Sequence, residues 1–299
     1  MVTQPKQTGN NTNEVNMRKA FVLLSGGMDS TTCLHKAILD YMPENPQMHL
    51  AYGDTRIWQD VIHDAKPGDV TIDWVEAFSV YYGQRHRKEM DYAKATCERL
   101  GIQHSVLDVG SLLRGDRVML SDDSRDTVEV PNIDYADIKG VSPTYVPFRN
   151  GLLLSAITAQ AQKWVNRQNE IYQNGFETDP ITISEVGDKP EAGIYFGAHA
   201  EDAHNWAYPD CTPEFIGAMA NAIYIGSYMQ IRLHTPLEWL SKTEVVKLGE
   251  ELGVNFGQTW SCYKGEEVHC GTCPTCRSRR QAFVSAKVED PTVYASSGQ

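Results

Sequence analysis

Residues 21–34 read FVLLSGGMDSTTCL: four apolar residues run straight into two glycines, an acid and several hydroxyls. Phe21 to Leu24 are short, apolar and bounded by a turn signal, which predicts a strand buried on both faces. Gly26 and Gly27 permit backbone angles closed to other residues, and they let a ligand come close to the main chain. Asp29 or Ser30 can cap the helix that the pattern places over about Thr31 to Asp40. A strand, a glycine turn and a helix N-terminus together aim backbone N–H groups at one point, an anion site whose usual occupant is phosphate. The spacing is neither G-x-x-x-x-G-K-[ST] nor G-x-G-x-x-G. An ordinary glycine-rich βα turn is the simpler alternative.

Outward from this stretch, strand and helix patterns alternate, which favours an α/β fold with a mainly parallel sheet. Further strands are expected at 70–80, 104–110, 194–199 and 231–237, with helices at 83–101, 149–164, about Thr212 to Ser227 and 242–252. The last helix opens on Ser241-Lys242-Thr243-Glu244, an S-x-x-E capping box. Stretches near 41–69, 121–144 and 173–193 are rich in turn and polar residues and read as insertions, the first with a short helix around Trp58 to His63. Long loops inside a compact domain are usually functional lids or tolerated insertions. Residues 1–17, polar and rich in Asn, Thr and Gln, read as a disordered tail with no apolar core for a secretory signal.

The 299 residues are 41% hydrophobic and 22% charged, ordinary proportions for a globular protein. A net charge of −12 argues against a broad grip on nucleic acid, so no direct nucleic-acid partner is expected. No apolar run approaches the roughly 20 residues that cross a bilayer, so neither is a membrane. Seven cysteines, an odd number, suggest thiols or a metal site rather than a disulfide framework, and the expected compartment is the cytoplasm.

Four of those cysteines, Cys262, Cys270, Cys273 and Cys276, fall at C-x7-C-x2-C-x2-C. Four thiolates with no fifth ligand describe a closed, structural zinc site. An iron–sulfur cluster or a redox pair is the alternative, and His269 is a competing ligand. Residues 255–299 therefore read as a metal-binding segment after an α/β domain spanning 18–254. Cys33 and Cys97 fall on apolar helix positions, as core cysteines do. Arg277, Arg279 and Arg280 suggest either a solvated face or a phosphate clamp.

SGGMDS resembles the pyrophosphate-binding loop of the PP-loop (N-type) ATP pyrophosphatases. YYGQRH (81–86), YVPFRN (145–150), AHAEDAHNWAYPDCTPEFI (198–216), TPLEWLSKTE (235–244) and the four-cysteine tail together resemble one branch, the 7-cyano-7-deazaguanine synthases. The resemblance implies a Rossmann-like parallel sheet of the adenine nucleotide alpha hydrolase type, with helices on both faces. It implies small-molecule partners: ATP, ammonia and 7-carboxy-7-deazaguanine, joined through adenylated acid and amide intermediates into the nitrile. It is compatible with a homodimer. Ser25, Gly26, Gly27, Asp29 and Ser30 would cradle pyrophosphate, with Asp29 reaching Mg2+. Arg85 and His86 would stand at the carboxyl end of the second strand, unless QRHRK is a solvated helix start. Arg149 and Asn150 would meet a substrate or nucleotide phosphate. Asp202, Tyr208 and Asp210 would line the deazapurine pocket, and Lys242 would neutralise leaving phosphate, unless it is a surface lysine. Two departures lie near that pocket: Phe148, where many relatives have glycine, and AHNWA between Asp202 and Tyr208. A ligase that stops at the amide, and a zinc-ribbon RNA-binding or interaction protein with a relic loop, are the competing readings.

Overall fold

The structure, a computed structural model, describes residues 17–43, 58–83, 88–113, 145–175, 190–199, 202, 206–264 and 267–295. Five parallel strands form one sheet: β1 (Arg18–Leu23), β2 (Ile72–Tyr81), β3 (Ile102–Asp108), β4 (Glu191–Tyr195) and β5 (Ile231–His234), in the order β3-β2-β1-β4-β5. The opening strand is therefore the central one, with Val22 level with Ala77 on one side and Tyr195 on the other.

Its all-apolar sequence follows from that position. Ala20, Val22 and Leu24 face one core cluster while Phe21 and Leu23 face the other, the period of two expected of a strand. On the first face, α1 (Met28–Asp40), α2 (Trp58–Asp64), α3 (Lys88–Leu100) and α7 (Lys242–Glu251) contribute Leu34, Ile38, Ile62, Cys97, Leu100 and Val245. On the second, α5 (Arg149–Gly175) and α6 (Pro213–Gly226) contribute Leu154, Ile157, Ala161, Val165, Ile216 and Ile223. A four-residue helix, α4 (Gly110–Leu113), follows β3. Cys33 and Cys97 are wholly buried.

Several boundaries differ from the sequence pattern. Helix α1 begins at Met28, so Gly27 is its N-cap and Asp29 and Ser30 lie inside the first turn rather than capping it. Helix α5 runs to Gly175, beyond the apolar stretch, and β4 starts at Glu191 and ends before Phe196. Both ends of the expected 173–193 insertion thus belong to regular elements. Its middle, residues 176–189, lies outside the described residues, as do residues 1–16 of the expected tail, residues 44–57 of the first insertion and the whole of 121–144. The capping box of α7 is present in both directions: Ser241 Oγ accepts from Glu244 N at 3.3 Å and Ser241 N donates to Glu244 Oε2 at 2.8 Å.

A helix expected only as the turn carrying Arg277, Arg279 and Arg280 runs over three turns, α8 (Pro274–Ala286). Ala282 and Phe283 on it pack with Met28 of α1 and Val246 of α7 in a third cluster. Arg279, read from sequence as solvated or phosphate-binding, is buried rather than solvated. Its guanidinium donates to Thr292 Oγ1 and Thr259 Oγ1 at 2.8 Å and to the Phe256 carbonyl at 2.8 Å, tying the segments before and after α8 together.

Candidate active site

In an open parallel sheet, the crevice between two neighbouring strands whose connections leave in opposite directions is where ligands bind, beyond the strands' carboxyl ends. Here that crevice lies between β1 and β4. A cavity of about 290 Å³ opens there, bounded by Ser25, Gly27, Asp29 and Ser30 after β1, Tyr82 after β2, and Phe196 to Ala198 after β4. A second space of about 160 Å³ shares Ser25, Gly27, Asp29, Glu89, Asp202 and Tyr263 with it, and reaches Lys242 and the start of α8.

The loop is shaped by two hydroxyls and one obligatory glycine. Ser25 N donates to Ser30 Oγ at 3.1 Å, and Ser30 Oγ donates on to the Gly27 carbonyl at 3.2 Å. Gly27 N donates to Ser25 Oγ at 3.2 Å. Gly26 has φ +89°, and a Cβ there would stand 2.0 Å from the Glu89 carbonyl oxygen, so it is glycine both for its angle and for its contact with α3. Gly26 thus faces away from the cavity.

Charge converges on Asp29. Lys242 Nζ lies 2.5 Å from Asp29 Oδ2, and His199 Nε2 lies 3.9 Å from it. Burial works against the Asp29 charge, but Lys242 and His199 outweigh it and hold the carboxyl below the usual range. Asp29 Oδ1 is buried and has no hydrogen-bond partner among the described residues. His199, fully buried, also lies 3.4 Å from Asp202 Oδ2.

Of the sequence-derived candidates, Ser25, Gly27, Asp29, Ser30, Arg149, Asn150, Asp202 and Tyr208 border one cavity, and Lys242 borders the adjoining space. Asp210 does not: it sits behind the wall, where its Oδ2 accepts from Asn150 N at 2.9 Å and its carbonyl accepts from Asn150 Nδ2 at 3.1 Å. Its carboxylate therefore fixes the start of α5 and, through it, Arg149. Arg149 stacks over Tyr82 with its guanidinium 5.8 Å from the ring centre. Arg85 and His86 lie outside the described residues. Sequence reasoning missed Glu89, His199, Tyr82, Cys211 and Tyr263 as cavity or near-cavity residues. Tyr82, His199 and Cys211 lie inside stretches that carried the family resemblance, whereas Glu89 lies outside them and offered only an acid in the first turn of a helix that follows a strand's carboxyl end. That signal is indistinguishable from an acid placed to suit the helix dipole.

Phe148, one of the two departures, adopts φ +55° in the turn before Arg149, and its backbone N donates to Tyr145 Oη at 2.9 Å. Left-handed backbone is where glycine is most at ease. Here the exposed Phe148 ring packs edge-on against Phe215 instead. Trp206, from the other departure, also has a positive φ of 62° and is exposed.

The four cysteines are buried, and their sulfurs all lie within 4.8 Å of one another, a group able to hold a metal ion. Backbone N–H groups of Lys264 and Cys270 point at the Cys262 sulfur at 3.4 Å, and those of Thr272 and Cys273 point at the Cys270 sulfur at 3.4 and 3.3 Å. Such donors favour thiolate over thiol. His269 is not among them: its Nε2 accepts from Ser261 N at 3.1 Å, its ring stacks on Trp260, and burial pushes its imidazole down to about 4. This segment also touches the loop directly, since Trp260 N donates to the Gly26 carbonyl at 2.9 Å, and Cys262 lines the larger cavity.

The chain matches the family described as queuosine biosynthesis protein QueC over residues 69–179 and 187–287, and the asparagine synthase family over residues 15–112. Curated relatives include the 7-cyano-7-deazaguanine synthase of Marinomonas sp. (strain MWYL1), 32% identical over 277 residues, covering 92% of this chain and 98% of that protein. The proteins of the same name from Alteromonas mediterranea and Caldicellulosiruptor bescii are 33% and 34% identical over 275 and 280 residues, covering 91% and 92% of this chain and 97% of each relative.

Proposed function

Because this chain belongs to the QueC family, we propose that it converts 7-carboxy-7-deazaguanine, ammonia and ATP into 7-cyano-7-deazaguanine through an adenylated acid, an amide and an adenylated amide. The observation that carries this reading is the shared cavity: the SGGMDS loop and Arg149, Asn150, Asp202 and Tyr208 border one space at the β1–β4 crevice. A carboxylate is a poor electrophile, and a site that holds ATP and acid side by side can activate it by in-line displacement at the α-phosphorus. The loop takes the pyrophosphate; Arg149 offers a planar cation to the substrate carboxylate or the α-phosphate; Asp202 accepts from the guanine-like N–H edge. Lys242, held on Asp29, adds positive charge on the leaving-group side. Positioning and charge stabilisation then supply most of the rate.

The donors present fit Mg2+: the buried, unbonded Asp29 Oδ1 and the nearby Asp202 carboxylate are hard oxygen ligands facing a phosphate site. Bound there, the ion would neutralise charge on the ATP phosphates. The four sulfurs fit one zinc ion. Zn–S bonds of about 2.3 Å require a tetrahedron with edges of roughly 3.8 Å, and the Cys270 and Cys276 sulfurs are 3.9 Å apart. An iron–sulfur cube interposes its own sulfides and needs its cysteines farther apart. The site's place in the wall supports a structural role, holding Trp260 against the loop.

Product stoichiometry tests the reading. Two oxygens leave the carboxyl carbon, each on an activated group, so two AMP and two pyrophosphate are expected per nitrile from the acid, and one of each from the amide. AMP counted by chromatography against nitrile counted by mass spectrometry decides it. One AMP per molecule, with amide as the end product, would assign the chain to the amide-forming reaction; ADP and phosphate would remove the PP-loop chemistry altogether.

A further inference from the structure

Among the described residues, three carboxylates border both adjoining spaces: Asp29, Glu89 and Asp202. Two are engaged, Asp29 with Lys242 and Asp202 with His199. The Glu89 side chain, in the first turn of α3, makes no hydrogen bond or ion pair with another described residue, and it borders both spaces. Its main chain is fixed against the pyrophosphate loop at Gly26, with no room for even a methyl group between them. Loop, α3 and carboxyl group therefore keep one spacing.

The other charged and titratable side chains among the described residues that border these spaces include Arg149 on α5, Asp29 on α1, Lys242 on α7, Arg279 on α8, Asp202 after β4, and Tyr82 and Tyr263. Burial raises the Glu89 carboxyl to about 7, with Arg149 pulling the other way. A carboxyl group so poised can hold or release a proton at neutral pH.

We propose that Glu89 is the general base that removes protons from the substrate nitrogen in the reaction proposed above, on which this inference rests. When ammonia adds to the adenylated carboxyl carbon, a C–N bond forms, the C–O bond to AMP breaks, and one N–H proton passes to the Glu89 carboxylate. In the second half, the amide oxygen displaces pyrophosphate from ATP as the nitrogen loses a proton. Loss of AMP with the last N–H proton leaves the C≡N bond. No electrons enter or leave. The amide nitrogen gives up two protons, which Glu89 accepts one at a time and returns to water.

The test separates adenylation from proton removal. Pyrophosphate exchange into ATP, dependent on the carboxylic acid, needs no base; conversion of the amide to nitrile needs one and involves no free ammonia. Glu89→Gln should keep exchange within about threefold while nitrile formation from the amide falls by about 10²–10⁴-fold. The parent rate should rise with pH through an ionisation near 7, and that limb should be missing in Glu89→Gln and present in Glu89→Asp. A Glu89→Gln enzyme that keeps the limb or the nitrile rate overturns the inference, as does one that loses exchange as much as nitrile formation. A parent enzyme with no acid-dependent exchange overturns the underlying reading as well.

Discussion

His35 shows how one buried side chain sets a pH limit on the fold. It is wholly buried on α1, its Nδ1 lies 3.1 Å from the Leu252 carbonyl, and its Nε2 has no partner among the described residues. The carbonyl can only accept, so Nδ1 carries the hydrogen, and the buried Nε2 without an acceptor leaves the ring neutral. Burial pushes its pKa down to about 4, against an ordinary value near 6.5. The unfolded chain therefore binds more protons than the folded one between pH 4 and 6.5, and stability falls as pH drops through that window. From pH 7 to pH 5 the loss from this residue should be about 2 kcal/mol. Urea unfolding of the parent and of His35→Gln at both pH values checks it: the substitution should remove most of the difference. Residues of this kind are hidden in a sequence, because a histidine on an apolar helix face looks the same whether it is a ligand, a catalyst or a neutral core group.

Elements show which signals the sequence carries and which it lacks. The β1 strand and the α7 capping box were legible because each depends on neighbours within four residues. The start of α1 was not, because Met28 and Asp29 enter the helix only once Ser25 and Ser30 close the loop around Gly27. Nor was the extent of α8, whose polar, arginine-rich pattern hides a helix held by Arg279 and by the cysteines at its start. The site was legible as a set of motifs, but their convergence was not, since Asp29 and Lys242 are separated by 213 positions. That pair also gives the α7 cap a functional consequence. Ser241→Ala removes the hydroxyl acceptor for Glu244 N and should cost about 1 kcal/mol of stability. Because Lys242 is the next residue, the same change should weaken ATP binding several-fold. Thermal unfolding beside ATP titration will show both effects, whereas an exposed cap remote from the site would show only the first.

At the scale of the whole molecule, the four-cysteine segment and the SGGMDS loop share a wall. Trp260 links them through the Gly26 carbonyl on one side and Cys262 on the other, where its Nε1 donates to the Cys262 carbonyl at 2.9 Å. Cys273→Ser should release the metal, lower Tm by about 10 °C or more, and depress acid-dependent pyrophosphate exchange, although no cysteine is asked to touch ATP. Elemental analysis, a melting curve and the exchange assay on one preparation test all three. Retained exchange in a metal-free protein would show that the wall stands without its ion.

The central place of β1 in the sheet has a bearing on how the chain is made. Of the five strands it is made first, yet its two neighbours are residues 72–81 and 191–195. Pairing with β2 is available early, whereas pairing with β4 waits for some 170 further residues, or roughly 10–30 s at ordinary rates of synthesis. Throughout that interval one edge of an apolar strand is open to pairing with other chains. Three of its residues, Ala20, Phe21 and Val22, later stand opposite β4 with 0–1% exposure. The strand that leads into the SGGMDS loop is thus half-paired through much of synthesis, and its second edge is sealed only when β4 emerges.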